Sequence, residues 1–249
     1  MTPIWIFPAY PLLIIGPHAG NLAERMVHPS QSLSVIIGGF TIQGIGFLVS
    51  LSIYSAFVYR LMTQKLPAEP LRPGMFVSVG PSAFTVCGVI SMAANLPRAL
   101  AGRETYMGID AILTANILKV VANWVSLWLW GLAFWFFFVS VVSNLAVISL
   151  KHPVHFAMTW FSFIFPQTAL TLATISIGEA FETPAISWIG CVMACLLVLA
   201  WIFVVSMMVR AVIKKQILWP ERGEDRREGG FTLKTDEKKR RSRDESVEV

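Results

Sequence analysis

Residues 160–178 read WFSFIFPQTALTLATISIG and carry no formal charge. At about 1.5 Å per residue, an α-helix of this length crosses a hydrocarbon core of about 30 Å. Pro166 should break that helix, because proline donates no backbone hydrogen bond and crowds the carbonyl four residues earlier. Polar backbone at this depth is tolerated only against protein or a water-filled path. The stretch therefore predicts a broken membrane helix that lines a conduit, with the ring of Phe165 as its constriction.

A helix of this kind need not line anything. Proline and hydroxyl residues are common in membrane helices, since Ser and Thr can bond their own backbone. Repetition favours the conduit: residues 14–20 read IIGPHAG and residues 78–84 read SVGPSAF, each with a proline among small or hydroxyl residues in an apolar run. We therefore expect a helical hairpin used three times, with a broken inner helix followed by a straight outer helix.

The composition is that of a membrane protein. Hydrophobic residues make up 55% of the 249 residues and charged residues 14%, which excludes an ordinary soluble domain. The net charge of +5 is not a nucleic-acid signature, because the basic residues lie in loops and in a C-terminal tail of mixed charge. The three cysteines fall in apolar spans, so we expect no disulfide framework, metal site or cofactor. The sequence contains no HExxH, GxSxG or P-loop pattern, so an enzyme is not expected.

Six membrane spans are predicted, and the charges orient them. The spans cover residues 4–20, 33–59, 75–96, 121–148, 160–178 and 185–209. Residues 109–120 are expected at the outer rim, because Lys119 would cost about 3 kcal/mol at the membrane centre. Basic residues cluster in the loop at 60–72 and in the tail, which the positive-inside bias assigns to the cytoplasm together with the C-terminus. Residues 1–215 thus form the transmembrane domain, and residues 216–249 a charged tail that we expect to be disordered.

Several stretches of the chain resemble one group of transport proteins. Residues 71–85, LRPGMFVSVGPSAFT, and residues 163–178, FIFPQTALTLATISIG, closely resemble the malic acid transport proteins of the tellurite-resistance/dicarboxylate transporter family. This family is related to the plant slow anion channels, and the sulfite efflux pumps of the same superfamily are similar in plan. Residues 5–20 and 127–140 look like the same group, so the resemblance covers most of residues 3–215.

The resemblance implies a fold and a function. It implies ten helices in five hairpins with quasi-fivefold symmetry, in which inner helices surround an anion path and a phenylalanine plugs it. By the match, the plug falls on Phe165, and the chain corresponds to the family's fifth to tenth helices, two hairpins short of five. The implied activity is transport of C4-dicarboxylates, malate foremost, across the plasma membrane, with the small anion and the lipid bilayer as partners.

Several points stay open at this stage. Proton coupling and a homotrimer are compatible with the resemblance but are not demonstrated by any residue. Efflux or channel conduction of sulfite or another small inorganic anion is one alternative activity. A truncated regulatory fragment that sits in the membrane and transports nothing is the other.

Candidate site residues come from the broken helices and their flanks. Freed backbone amides, helix N-terminal dipoles and hydroxyls attract an anion weakly enough to release it, although each hydroxyl can instead bond its own helix. Arg72 is expected either to concentrate anions at the cytoplasmic mouth or merely to follow the positive-inside rule. His18 is expected either to couple protons to transport or to be a hydrogen-bonded structural residue at a helix end. The remaining candidates are Gly80, Pro81, Ser82, Phe165, Pro166, Thr168 and Thr171.

Overall fold

Helices dominate the computed structural model, which describes residues 3–63, 66, 69–148 and 158–214. The elements in chain order are a 3-10 helix at Pro3–Ala9, α1 (Tyr10–Arg25), α2 (Pro29–Thr63), a 3-10 helix at Glu69–Val79, α3 (Gly80–Ala94), α4 (Leu96–Ala99), β1 (Thr105–Tyr106), β2 (Ile109–Asp110), α5 (Ala111–Ile148), a 3-10 helix at Met158–Phe163, α6 (Phe165–Ala180) and α7 (Pro184–Ile213). The predicted all-α class is confirmed, since the described residues contain no strand beyond the antiparallel pair β1 and β2. The predicted tail, residues 216–249, lies outside the described residues.

Three α-helices of nearly equal length each have a proline as their second residue. α1, α3 and α6 contain 16, 15 and 16 residues, and their prolines are Pro11, Pro81 and Pro166. Each helix follows a 3-10 segment in the chain. Proline is accepted in the first turn of an α-helix, because the N–H there has no acceptor within the helix. The predicted breaks are therefore changes from 3-10 to α-helical backbone.

The break in the first hairpin lies at Pro11 and not within residues 14–20. The repeated motif in the sequence predicted Pro17 as the counterpart of Pro81 and Pro166, and this prediction is wrong. Pro11 is the second residue of α1, where no carbonyl oxygen of the helix needs its missing N–H as a donor. Pro17 lies inside α1, where it withholds a donor from the carbonyl four residues earlier.

The helices that follow the broken ones are long and uninterrupted. α2, α5 and α7 contain 35, 38 and 30 residues, and none of them has a proline beyond its first residue. The predicted straight outer helices are therefore confirmed. α5 is continuous through the exposed Lys119, so residues 111–120 of the expected outer-rim segment form the first turns of the same helix.

Within the described residues, five helices are long and apolar enough to cross a membrane. They cover Pro29–Thr63, Arg72–Ala94, Ala111–Leu145, Thr159–Ala180 and Pro184–Ile213, and they coincide with the second to sixth predicted spans. The first predicted span, residues 4–20, is helical but is not among the five. Its helix α1 packs against α2 and α3 through buried small and apolar residues, including Leu13, Ala19 and Ala23.

α3 belongs to the most buried of the five candidate membrane spans. In an 18-residue apolar stretch of the span Arg72–Ala94, 78% of the residues are buried, compared with 6% in such a stretch of Pro184–Ile213. α3 contacts α1, α2, α5 and α6. A broken helix thus lies in the interior, while the unbroken helices leave most of their apolar surface uncovered, as helices that face lipid do.

Contacts divide the chain into two compact units. The first, Met1–Val154 with Met158–Trp201, contains every residue of the candidate site. Of the second, His155–Ala157 with Ile202–Val249, the structure describes residues 202–214, which include the last turns of α7.

Candidate functional site

The break before α3 is closed by two tyrosine side chains. Pro81 has no N–H, so the carbonyl oxygen of Val77, four residues earlier, lacks its α-helical donor, and the adjacent Ser78 oxygen lies at the same change from 3-10 to α-helical backbone. Tyr10 Oη donates to the Val77 oxygen over 2.6 Å. Tyr54 Oη donates to the Ser78 oxygen, also over 2.6 Å. Both tyrosines are buried, so the freed backbone is satisfied by protein and not by water.

Three aromatic rings meet near the start of the inner helices, one each from α1, α3 and α6. We refer to Tyr10, Phe84 and Phe165 as the aromatic triad. The ring centroids of Tyr10 and Phe165 are 5.3 Å apart, those of Phe84 and Phe165 5.4 Å, and those of Tyr10 and Phe84 5.9 Å. These distances lie in the range of favourable aromatic pairs. Tyr10 is 3% exposed and Phe165 42% exposed, so the Phe165 ring rests on a buried base.

Gly80 makes room for the triad. It is the first residue of α3, the position that Tyr10 has in α1 and Phe165 has in α6. A Cβ at Gly80 would lie 2.1 Å from Tyr10 Oη, much closer than two such atoms can approach. The first residues of α3 and α6 therefore both lie against the Tyr10 side chain.

α6 has an exposed face and a buried face. Phe165, Thr168 and Leu172 follow one another at helical spacing on the exposed face. Thr168 Oγ1 donates to the carbonyl oxygen of Ile164, one turn earlier. Thr171 lies on the buried face and is 5% exposed. The structure thus separates the two threonines that were expected to share a path, and of the two only Thr168 shares the face of Phe165.

The hydroxyls at the start of α3 are engaged within the protein. Ser82 is fully buried, and its Oγ lies 3.5 Å from Tyr54 Oη. Thr85 Oγ1 donates to the Pro81 carbonyl oxygen over 2.7 Å. Pro166, a further candidate site residue, is buried in the first turn of α6. Thr85 thus matches the alternative in which a hydroxyl bonds its own helix, whereas Ser82 contacts a side chain of α2.

Arg72 links the 3-10 segment before α3 to the end of α5. Its Nη1 lies 3.5 Å from the carbonyl oxygen of Ser143. The side-chain amide of Asn144 donates to the Arg72 carbonyl oxygen over 3.2 Å. The Arg72 side chain is half-buried, so this residue anchors two elements in addition to any effect of its charge at the mouth.

His18 lies on the exposed side of α1. Its Nδ1 is 2.8 Å from the carbonyl oxygen of Ile14, so the neutral ring carries its proton on Nδ1 and leaves Nε2 as an acceptor. Because α1 begins at Tyr10, His18 lies inside a helix and not at a helix end as expected. Eight residues of helix, about 12 Å, separate it from Tyr10, so the structure does not bring His18 to the triad.

Gln43 is a residue of the site that the sequence pattern did not indicate. It lies in the middle of α2, is 1% exposed, and its Nε2 donates to the Phe84 carbonyl oxygen over 2.9 Å. A Cβ at Gly16 would lie 1.7 Å from Gln43 Oε1, and one at Gly88 2.3 Å from it, so these glycines provide the space for the amide. The one signal in the sequence was a single glutamine within the apolar span 33–59.

The groups at the site are mostly aromatic or polar without charge. Among the residues that the structure describes, no cluster of three His, Cys, Asp or Glu side chains could hold a metal ion. The site consists of aromatic rings, engaged hydroxyls, one amide and the first residues of three helices. Such groups can line a path, close it with a ring and attract an anion weakly.

Known transport proteins are similar to this chain. The malic acid transport protein of Schizosaccharomyces pombe is 34% identical over 225 residues, which are 90% of this chain and 50% of that protein. A putative malic acid transport protein of the same organism is 26% identical over 229 residues, which are 90% of this chain and 51% of that protein. The sulfite efflux pump SSU1 of Trichophyton rubrum is 20% identical over 222 residues, which are 87% of this chain and 56% of that protein.

The family assignment rests on most of the chain. The chain spans about half the length of the relatives it matches. No solved structure matches it. The family described as voltage-dependent anion channel, SLAC1, matches residues 1–209, which include α1 to α6 and most of α7. With its apolar helices and transport-protein relatives, the chain is an integral multi-pass membrane protein that belongs to the voltage-dependent anion channel family and not to an enzyme class.

Proposed function

We propose that the chain transports C4-dicarboxylates, malate foremost, along a path beside α1, α3 and α6 that Phe165 gates. The aromatic triad carries this proposal, because it sets a half-exposed phenylalanine ring where the three broken helices begin. The 34% identity to a malic acid transport protein supports malate, whereas the sulfite efflux pump is 20% identical.

The Phe165 ring is held in a way that suits a gate. It rests on Tyr10 and Phe84 on one side and is 42% exposed on the other. An aromatic pair contributes about 0.5–1.5 kcal/mol beyond the burial of its area, so two such contacts restrain the ring without locking it. An apolar ring in a narrow path excludes water and ions, and its displacement opens the path.

Attraction for the anion would come from the helix ends. The first residues of α3 and α6, Gly80 and Phe165, both lie against Tyr10, the first residue of α1. Each helix N-terminus carries roughly half an elementary positive charge. Together they favour a dicarboxylate without a fixed cation that would slow its release.

Further features of the proposal concern coupling, location and assembly. The free Nε2 of the exposed His18 supports proton coupling, and Arg72 would concentrate anions at the mouth. The positive-inside pattern supports a cytoplasmic C-terminus, and the resemblance to known transport proteins supports the plasma membrane. The resemblance to the slow anion channels supports a homotrimer as the assembly that we expect.

The half-length match also favours a second candidate function. Three hairpins of this kind could sit in the membrane beside a longer relative and regulate it without transporting anything themselves. Co-purification with such a relative, combined with no flux of its own, would support this function.

Uptake of labelled malate into proteoliposomes that contain the 249-residue chain tests the proposal. We expect uptake above empty vesicles, displaced by unlabelled malate and succinate more strongly than by sulfite or chloride. Equal displacement by sulfite or chloride would indicate an inorganic-anion path. No uptake by protein shown to be folded would favour the regulatory function.

A further inference from the structure

The Tyr10 side chain touches two different parts of the site. Its hydroxyl donates to the carbonyl oxygen of Val77, 67 positions later in the chain. Its ring lies 5.3 Å from the ring of Phe165, on a third helix. One side chain thus connects the break before α3 to the residue that we propose as the gate.

The bond between Tyr10 and Val77 lies where the backbone changes from 3-10 to α-helical. In an α-helix the residue four positions after Val77 would donate to its oxygen, but that residue is Pro81, which has no N–H. Val77 is fully buried and Tyr10 nearly so, which keeps water from taking the place of the phenol. An unpaired carbonyl is costly in such surroundings, so the hydroxyl is held firmly in one position.

The position of the phenol is also limited by the available space. The Tyr10 Oη atom lies 2.1 Å from the position that a Cβ at Gly80 would occupy. A methyl group at Gly80 must therefore displace the phenol without removing the hydroxyl. This gives a second and independent way to break the contact.

We propose that Tyr10 is a positioning residue that holds the Phe165 ring in the closed position. While the hydroxyl is bonded to Val77, the Tyr10 ring is fixed and supports Phe165. When the bond is broken, the Tyr10 ring gains freedom, and the Phe165 ring loses a rigid support. This inference rests on the proposed gate at Phe165.

Tyr54 provides a matched control for Tyr10. Both residues are 3% exposed, and both donate over 2.6 Å to adjacent carbonyl oxygens just before α3. The Tyr54 ring, however, packs against Phe136 at 4.3 Å and is not part of the triad. Substitution by phenylalanine therefore removes an equivalent bond in each case, but only Tyr10→Phe should act on Phe165.

Malate flux per folded molecule in proteoliposomes is the first measurement. We expect Tyr10→Phe to raise flux between about twofold and tenfold, the population shift that corresponds to one typical hydrogen bond. Tyr54→Phe should change flux much less than Tyr10→Phe does, and Tyr10→Phe should have no further effect in a Phe165→Ala background. Gly80→Ala should raise flux as Tyr10→Phe does, whereas Gly44→Ala, whose Cβ would have no atom within 4 Å, should not. Equal changes for Tyr10→Phe and Tyr54→Phe would overturn the proposal.

A second measurement does not depend on transport. The nitrile stretch of p-cyanophenylalanine incorporated at position 165 reports the surroundings of that ring by infrared spectroscopy. Tyr10→Phe should shift or broaden the band, and Tyr54→Phe should not. An unchanged band in Tyr10→Phe overturns the role of Tyr10, even where Phe165→Ala raises flux. A changed band, combined with no effect of Phe165→Ala on flux, keeps the support by Tyr10 and refutes the gate.

Discussion

The side-chain amide of Gln43 in α2 donates to the backbone carbonyl oxygen of Phe84 in α3 over 2.9 Å. The other end of the amide, Oε1, has no hydrogen-bond partner in the part of the chain that the structure describes. The amide fits only because Gly16 and Gly88 carry no side chain. The contact therefore joins an outer helix to the turn of α3 that carries a ring of the aromatic triad.

Gly16→Ala should destabilise the protein through Gln43. The new Cβ would lie 1.7 Å from Oε1, so the amide would have to move and give up its bond to Phe84. We expect the free energy of unfolding to fall by about 1–3 kcal/mol, as for other overpacked sites. Thermal unfolding in detergent measures the change. In a double-mutant cycle, Gln43→Ala should remove most of this loss, and strict additivity of the two changes would contradict the contact.

Two adjacent glycines of α2 should respond differently to the same substitution. A Cβ at Gly39 would lie 2.2 Å from the Cβ of Ala19 in α1, whereas a Cβ at Gly38 would have no atom within 4 Å. Gly39→Ala should therefore lower the free energy of unfolding by about 1–3 kcal/mol. Gly38→Ala should leave it unchanged or raise it by up to about 1 kcal/mol, because alanine favours the helix. The melting temperatures of the two variants measure this difference. Equal losses of stability in both variants would show that α1 does not pack on this face of α2.

His18→Gln should flatten the pH dependence of malate uptake. The Ile14 carbonyl engages Nδ1, and Nε2 is the other nitrogen of this exposed ring. Uptake is measured between about pH 5 and pH 8. His28→Gln, a change at a second exposed histidine that lies just after α1, should not alter the profile. A profile that His18→Gln leaves intact would assign His18 a structural role alone.

The prolines show what could be read from one sequence. Pro81 and Pro166 were correctly predicted as breaks, because a proline in an apolar run removes a helical donor whatever surrounds it. The first hairpin was misread because its run contains both Pro11 and Pro17. Each of them can begin a helix, and the local motif around Pro17 was the closer match to residues 78–84.

Contacts between distant residues lay beyond the sequence pattern. Tyr10 and Val77 are 67 positions apart, and Gln43 and Phe84 are 41 positions apart. Helical periodicity reports which residues share a face, but it does not report which face of another helix they meet. The place of Phe165 among aromatic rings and the space provided by Gly80 therefore became visible only in the folded chain.

The central claim is that the Phe165 ring closes the path, and flux through Phe165→Ala tests it most directly. Phe40→Ala is the matched control, because Phe40 is 58% exposed on α2, outside the triad. We expect Phe165→Ala to raise malate flux per folded molecule on the order of tenfold, since two ring contacts together contribute roughly 1–3 kcal/mol. Phe40→Ala should leave flux unchanged. A folded Phe165→Ala protein with equal or lower flux would contradict the gate, and loss of about 3–5 kcal/mol of stability without added flux would show that Phe165 is a packing residue.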